Sequence, residues 1–360
     1  MDFFETVITD GAKRRVMECL NSGYVSEGEL VKEFEQRIEQ EFGYKNCVAV
    51  NSGTSALHLA LILAGVKAGD EVILPAQTFV ATGLAVLYCG AKPVFADIEK
   101  ETGNISRNGI VDVATKNTKA IIAVSWGGVP CRLDVISELC REWEIACIQD
   151  NAQALGATYY GKPLDNWGDF SCFSFQAIKH LTTGDGGMLT CNNYQYTRVH
   201  RLRWFGIDKK LDLSDETGER HYNLDELGYK YHMNDYAAAL GLGNLEGFQD
   251  RLNKRRMIAH FYTDNLPEEI LTQWGVGSAC WLYTVLVERR SDFMRMMRSK
   301  DIPVSVVHNG IQRNDIFGEY KKGSLPVQEY WDEHHVCLPI HSSLTDEDVQ
   351  KVIKAVQSGW

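Results

Sequence analysis

Between Cys47 and Asp150 the sequence alternates short apolar runs with helix-like segments, and this rhythm leaves few folds open. KNCVAV reads as a first strand into the core. NSGTSALHLALILAG (51–65) follows as a strongly apolar helix that starts on serine and threonine. GDEVILPAQTFVATGLAVLYCGAKPVFADI then gives a turn, a strand at Val72–Leu74, a helix over about Thr78–Cys89 and a strand at Pro93–Ala96. KAIIAVSWGG is a further apolar run ending in glycines, a helix is expected over Asp134–Trp143, and IACIQD is again a strand. Strands that alternate with helices in this way build βα units, hence an α/β fold with a largely parallel sheet covered on both faces. In such sheets ligands gather at the carboxyl ends of the strands. Ser52–Ser55, Pro75–Phe79 and Asp150–Gln153 all fall at such ends.

Upstream, residues 12–42 read as helical with a break near Gly23. Downstream, NNYQYTRVHRLRWFGIDKK reads as an arginine-rich helix and residues 209–230 as a polar loop. A long helix is expected to open at Asn234–Asp235 and to continue through DRLNKRRMIAHFYTDNL. Long helices often bridge a large and a small domain, and 360 residues suffice for two, so the division expected is 1–245 and 246–360. The C-terminal part carries the apolar runs WLYTVLVE and PVSVVHN and closes with LTDEDVQKVIKAVQSGW, a capped helix with acids in its first turn.

Several classes are disfavoured. No apolar run is long enough for a membrane span, and the acidic start MDFFETVITDGAKRR lacks the order of a signal peptide, so a cytoplasmic protein is expected. The ten cysteines are scattered without a CxxC pair, and several sit in strand-like runs, which points to buried free thiols and not to disulfides or a metal site. The net charge is −11, and the short basic groups Lys13–Arg15 and Lys254–Arg256 read as solvated helix faces, so no nucleic-acid partner is expected.

The segment IQDNAQALGATYYGKPLDNWGDFSCFSFQAIKHLTTGDGGMLTC (148–191) holds an acid at a strand end, Asp150, and a lysine, Lys179, 29 residues on. Singly, Asp150 reads as a turn or cap residue, Lys179 as a surface lysine, and Gly184, Gly186 and Gly187 as a tight turn. Ser52–Ser55 reads either as a helix cap or as an anion site, because free N–H groups and the positive dipole end point the same way. Together they match the needs of pyridoxal phosphate (PLP): a lysine amine to hold the aldehyde, and an acid to keep the ring nitrogen protonated.

In order and spacing, NSGTSALHLAL, GDEVILPAQTFVAT, QDNAQALGA, GDFSCFSFQAIKHLTTGDGGML and GYKYHMNDYAAALGL resemble the DegT/StrS-type sugar aminotransferases, PLP enzymes of fold type I. The resemblance covers residues 25–260 and is looser beyond. It implies a large domain with a mostly parallel seven-stranded sheet, a smaller C-terminal α+β domain, and a homodimer with shared active sites. It also implies site roles. Lys179 would hold PLP and move protons, Asp150 would pair with the ring nitrogen, and Gln153 would reach the phenolic oxygen. Phe79 would stack on the ring, and Thr54, Ser55 and Ser174 would hold the phosphate. Where relatives carry asparagine in a Gly-Tyr-Asn-Tyr-Arg segment reaching the partner's phosphate, this chain has Lys230, which can meet either phosphate or substrate. His308 and Arg313 lie where relatives contact the sugar nucleotide, though the same stretch also reads as a polar surface loop.

The activity implied is transfer of an amine from L-glutamate to a nucleotide-diphospho-4-keto-6-deoxyhexose by a ping-pong mechanism, serving surface-glycan synthesis. The alternatives are amination at C3, a PLP-dependent sugar dehydratase, or a non-catalytic PLP-binding regulator. The dehydratases of the family carry histidine at the imine position. Here FSF and TTGDGG fix Lys179 there, with His180 one residue later.

Overall fold

The computed structural model describes every residue except 192, 209–215, 220, 274 and 322, and the backbone alone of 193. The expected alternation is present. The strands are β1 (Cys47–Val50), β2 (Glu71–Pro75), β3 (Lys92–Ala96), β4 (Thr118–Val124), β5 (Ala146–Asp150), the short pair β6 (Thr158–Tyr159) and β7 (Lys162–Pro163), β8 (Phe170–Ser174) and β9 (Gly187–Cys191). The helices up to that point are α1 (Asp10–Ser22), α2 (Glu29–Phe42), α3 (Gly53–Leu63), α4 (Val80–Tyr88), α5 (Arg107–Val113) and α6 (Leu133–Glu142). Seven strands form one sheet in the order β1-β9-β8-β5-β4-β2-β3. Only β9 runs against the others, pairing antiparallel with both β1 and β8. The chain is thus an α/β protein with a mostly parallel seven-stranded sheet.

Strand residues alternate between two cores because successive side chains point to opposite faces. Cys47, Ala49, Ile73, Ile121 and Ala123 pack with Phe34 and Ile38 of α2 and Ile136 of α6. Val48, Val50, Leu74, Ile122 and Val124 pack with Leu57, Leu59 and Leu61 of α3 and with Ala85 of α4. Helix α3 is buried almost all round, which its near-continuous apolar sequence allows. Each large residue here removes apolar surface from water, worth about 1.5–3 kcal/mol per side chain before entropy is counted.

Beyond the sheet come α7 (Asn193–Leu202), α8 (Asp235–Asn244) and α9 (Phe248–Asn265). Two expectations need correction. The arginine-rich helix stops at Leu202, and the rest of that segment turns at Phe205 and Gly206, both with positive φ. Its end at Lys209–Lys210, and part of the polar loop after it, lie outside the described residues. The long helix is two helices, interrupted at Gly247, whose left-handed backbone (φ 68°) needs a residue without a Cβ.

A three-stranded antiparallel sheet, β10 (Leu271–Thr272), β11 (Tyr283–Leu286) and β12 (His335–Leu338), packs with α9, α10 (Arg290–Ser299) and α12 (Asp346–Gln357) in a third core around Tyr262, Tyr283, Phe293 and Val352. WLYTVLVE supplies β11, whereas PVSVVHN contributes an isolated bridge, Ser305 to Cys337. Helix α11 is Pro326–His334. Ile311, Phe317 and Leu325 return to the core of the large sheet. That return brings residues 308–313 to the ends of its strands. The closing helix carries the expected capping box, Thr345 with Asp348. All ten cysteines are free thiols, nine of them buried and Cys89 partly so. Among the described residues no helix is long and apolar enough to cross a membrane.

Candidate active site

The parallel strands β1, β2, β4, β5 and β8 end on one edge of the sheet. At the end of β1, Ser52 caps α3 by accepting from Ser55 N at 3.0 Å, and Ser55 Oγ donates to Asn51 Oδ1 at 2.6 Å. The amides of Gly53 and Thr54 belong to the first helical turn, whose N–H groups have no acceptor within a helix. Ser174 ends β8 beside them, because Gly187 of β9 pairs with Val50 on one side and Ser174 on the other. A Cβ at Gly187 would sit 2.4 Å from Ser52 O and 2.7 Å from Gly53 N, and one at Gly53 would lie 3.0 Å from Ser174 Cβ. Two glycines thus let three backbones converge on a cradle lined by amides and hydroxyls, the kind of surface that binds a phosphate.

This corner is braced from below. Buried Arg203 donates to Glu35 Oε1 (2.6 Å), Ala49 O (2.7 Å) and Glu27 Oε1 (2.6 Å). Its own carbonyl accepts from Tyr231 N and His232 N, and Tyr231 O accepts from Asn51 N at 2.7 Å. The same segment carries Lys230, whose carbonyl accepts from Asn51 Nδ2 at 3.1 Å and whose ammonium lies 4.0 Å above the Trp204 ring.

Asp150 ends β5 and is 6% exposed. Oδ2 accepts from Thr82 Oγ1 at 2.7 Å and Oδ1 from Ala152 N at 3.2 Å. Burial pushes its carboxyl up, while those two hydrogen bonds and the charge of Lys179 pull it back. Lys179 lies in the turn-rich segment between β8 and β9, with its Nζ 3.8 Å from the centre of the Trp281 ring. Trp281 is itself pinned by donating from Nε1 to Ile178 O at 3.0 Å. Burial lowers the Lys179 ammonium to about 8, against the raising effect of Asp150. The neighbouring His180 turns away: its Nε2 meets Ala279 O at 2.8 Å, and burial holds its pKa well below the ordinary value.

Gln153 is buried, and its Oε1 accepts from Gly127 N at 2.6 Å, which orients the amide and leaves Nε2 as its donor end. Phe79, at the N-cap of α4, is half exposed at 52%. Its ring lies 5.0 Å from that of His308, which also meets Trp126 edge-on at 5.9 Å. Residues 308–311 are hooked to the loop after β2 by Gln77 Nε2 to His308 O (3.0 Å) and Ile311 N to Ala76 O (2.9 Å). Burial, with Lys179 and His335, lowers His308 to about 4. Arg313 is more open and lies 3.5 Å from Asp332. The structure thus places Ser174 beside the α3 N-terminus that carries Thr54 and Ser55, and Lys179 near Asp150 and near His308, which meets Phe79; Gln153 lies on the loop after β5. Lys230, over Trp204, and Arg313, beside Asp332, stand apart from these groups.

Sequence reasoning did not single out Thr82, Trp126 or Trp281. Thr82 carried one signal, its helical spacing from Thr78 in QTFVAT, whereas Trp281 comes from 102 residues beyond Lys179 with no local pattern to mark it.

A partly buried lysine in the segment after β8 and a buried acid at the end of β5, beside a phosphate-type cradle, are the arrangement of a PLP enzyme of fold type I. Residues 7–357 match the DegT/DnrJ/EryC1/StrS aminotransferase family. GDP-perosamine synthase of Caulobacter vibrioides is 33% identical over 96% of this chain and 95% of its own. The crystal structure of the sugar aminotransferase CalS13 from Micromonospora echinospora superposes with a TM-score of 0.93 at 30% identity, covering all of both chains. A Streptococcus pneumoniae structure titled as a sugar aminotransferase, Spr1654, in its PMP-form gives 0.91 at 28% identity, covering 99% of this chain and 98% of that one. The chain belongs to the DegT/DnrJ/EryC1/StrS family, and it is a PLP-dependent aminotransferase.

Proposed function

We propose that the chain transfers an amine from L-glutamate to the C4 carbonyl of a nucleotide-diphospho-4-keto-6-deoxyhexose by a ping-pong mechanism, giving a 4-amino-4,6-dideoxy sugar nucleotide for surface-glycan synthesis. The observation that carries this reading is the meeting of Lys179 and Asp150 in a chain that matches sugar aminotransferases from end to end. The relative named GDP-perosamine synthase supports a nucleotide-linked sugar as acceptor.

The residues fit the cofactor. The cradle exists only because Gly187 has no Cβ, a lysine and an acid lie near each other, and Gln153, its Oε1 held by Gly127 N, keeps Nε2 as a donor. PLP supplies an aldehyde carbon for the amine and a ring that withdraws electrons from the reacting carbon. Thr54 and Ser174 would hold its phosphate, with Ser55 joining them by turning the hydroxyl it now donates to Asn51; Phe79 would cover a ring face, Gln153 would donate toward the phenolic oxygen, and Asp150 would accept from the ring nitrogen. Lys179 would hold the cofactor, and its amine would serve as the base and acid that moves a proton at the reacting carbon. A pKa of about 8 leaves about a tenth of the amine neutral at pH 7, against under a thousandth for an ordinary lysine. His308, neutral at that pH, faces the acceptor sugar with Arg313 behind it.

The working unit in this reading is a homodimer in which Lys230 serves the partner's site. Exposed Ile8, Met17 and Tyr236 near the rim at Thr183–Asp185 support an interface there. The division at 245/246 puts the third core in the C-terminal part, from which Phe248, Leu252, Ile311, Phe317 and Leu325 reach back into the cores of the large sheet. Incubation with L-glutamate and a panel of GDP-, UDP- and dTDP-linked 4-keto-6-deoxy sugars, with a 3-keto isomer alongside, tests the proposal by mass spectrometry. Conversion of a 4-keto substrate to the amine is expected. Exclusive conversion of the 3-keto isomer would overturn the position assigned, and loss of a hydroxyl without amine gain would point to a dehydratase.

A further inference from the structure

Two threonines flank the N-cap of α4, Thr78 just before it and Thr82 in the first turn, and the reaction has not yet used them. Thr82 Oγ1 donates to Asp150 Oδ2 at 2.7 Å, and Thr78 Oγ1 lies 2.6 Å from Thr82 Oγ1. Both are sealed from water, at 0% and 1% exposure. Their four-residue spacing at a helix start puts both hydroxyls on one face, with Phe79 between them in sequence. Since the Thr82 proton is committed to the carboxylate, the short contact with Thr78 has one arrangement available, in which Thr78 donates. The two hydroxyls then form a directed chain ending on Asp150, in which each bond polarises the next.

We propose that Thr82, backed by Thr78, is a positioning residue that holds Asp150 ionised and aimed, and so fixes where the proton between Asp150 and the cofactor's ring nitrogen resides. This rests on the reading that Asp150 accepts from that nitrogen. One proton lies between a carboxylate and a pyridine nitrogen. Hydrogen bonds donated to the carboxylate lower its basicity and leave the proton on nitrogen. Ala152 N supplies a second such bond, to Oδ1, so each oxygen has one donor and one lone pair left. Burial works in the opposite direction on Asp150. The other ionisable groups acting with it are Lys179, whose charge favours the carboxylate, and the thiols Cys131 and Cys172. Burial pushes both thiols well above their ordinary range, so they stay neutral. The hydroxyl chain thus opposes desolvation of Asp150 together with Ala152 N and the charge of Lys179, and it is the part supplied by side-chain hydrogen bonds.

The test is the nitrogen NMR shift of ring-15N pyridoxal phosphate loaded on the wild-type protein and on the Thr82→Val, Thr82→Ser, Thr78→Val and Asp150→Asn variants, with circular dichroism melts to check folding. Wild type should show the protonated-ring shift. T82V should move it toward neutral pyridine and slow the glutamate half-reaction on the order of tenfold. T82S should restore both, and T78V should give a smaller change in the same direction. If T82V fails to fold, T78V and T82S still decide the matter. A wild-type shift in T82V or T78V overturns the proposal while leaving the role of Asp150 intact, provided D150N moves the resonance. A shift unmoved by D150N overturns the underlying reading of Asp150 instead.

Discussion

Replacing Lys179 with methionine should stabilise the cofactor-free protein, and the gain should vanish in alkali. The lysine is held at about 8, where an unfolded chain would return it to about 10.5, so folding is opposed by the ammonium it must accept. For a group depressed in this way the unfolded state binds more protons between the two values, and stability rises with pH across that window. The difference of roughly 2.5 units corresponds to about 3 kcal/mol at most, and about 1–3 kcal/mol once the water still reaching this partly open side chain is allowed for. Methionine fills similar space without charge. Urea unfolding of wild type and K179M at intervals from about pH 7 to 11, far enough to pass both values, would give two curves. Taking their difference cancels the buried thiols and tyrosines, whose raised pKa values act in the opposite sense in both proteins. K179M should be the more stable at pH 7, and the two should converge above about pH 10.5. Parallel curves with no convergence, or a less stable K179M at pH 7, would refute the claim that Lys179 is a desolvated amine.

Three further outcomes follow from the same geometry. Gly187→Ala would drive a methyl into Ser52 O and Gly53 N, so the backbone must give way: PLP affinity should fall by about one to two orders of magnitude and the melting temperature should fall with it, read by fluorescence titration with PLP and a thermal melt. Arg203→Met would leave Glu35 and Glu27 facing each other without their cation, so a loss of about 3–5 kcal/mol is expected in urea unfolding, and a loss below about 1 kcal/mol would contradict the bracing role. His308, depressed to about 4, stays neutral from about pH 5 upward, so His308→Asn should lower kcat/KM without removing any acidic limb of the wild-type pH profile near pH 6.5.

What the sequence disclosed and what it withheld have separate physical causes. The sheet was readable because each βα unit declares itself locally, in apolar runs such as EVILP and AIIAV with turn residues between them. Asp150 and Lys179 could be singled out because strand-end placement and spacing are themselves sequence properties. The break at Gly247 was harder to see, since a lone glycine in a helical pattern is often tolerated and only its backbone angle reveals a stop. PVSVVHN carries a strand-like composition, yet its neighbours let it form one bridge, because pairing is decided by partners distant in the chain. The same limit hid Trp281 and the part of Thr82: the first meets Lys179 only through the fold of the second sheet, and the second matters only once β5 lies beside α4. Lys230 shows the converse, a motif position whose local contact is with Trp204 and whose proposed role needs a second protomer.

The central claim, that Lys179 holds PLP and that the chain takes an amine from glutamate, is tested most directly by one absorbance experiment. The purified protein is loaded with PLP, its spectrum is recorded, and excess L-glutamate is added, with Lys179→Ala run in parallel. The account predicts a visible band for the wild type that gives way to near-ultraviolet absorbance on adding glutamate, and no such band in K179A. A wild-type band unmoved by glutamate would contradict the amine donor, and a protein that shows the same band without Lys179 would contradict the site.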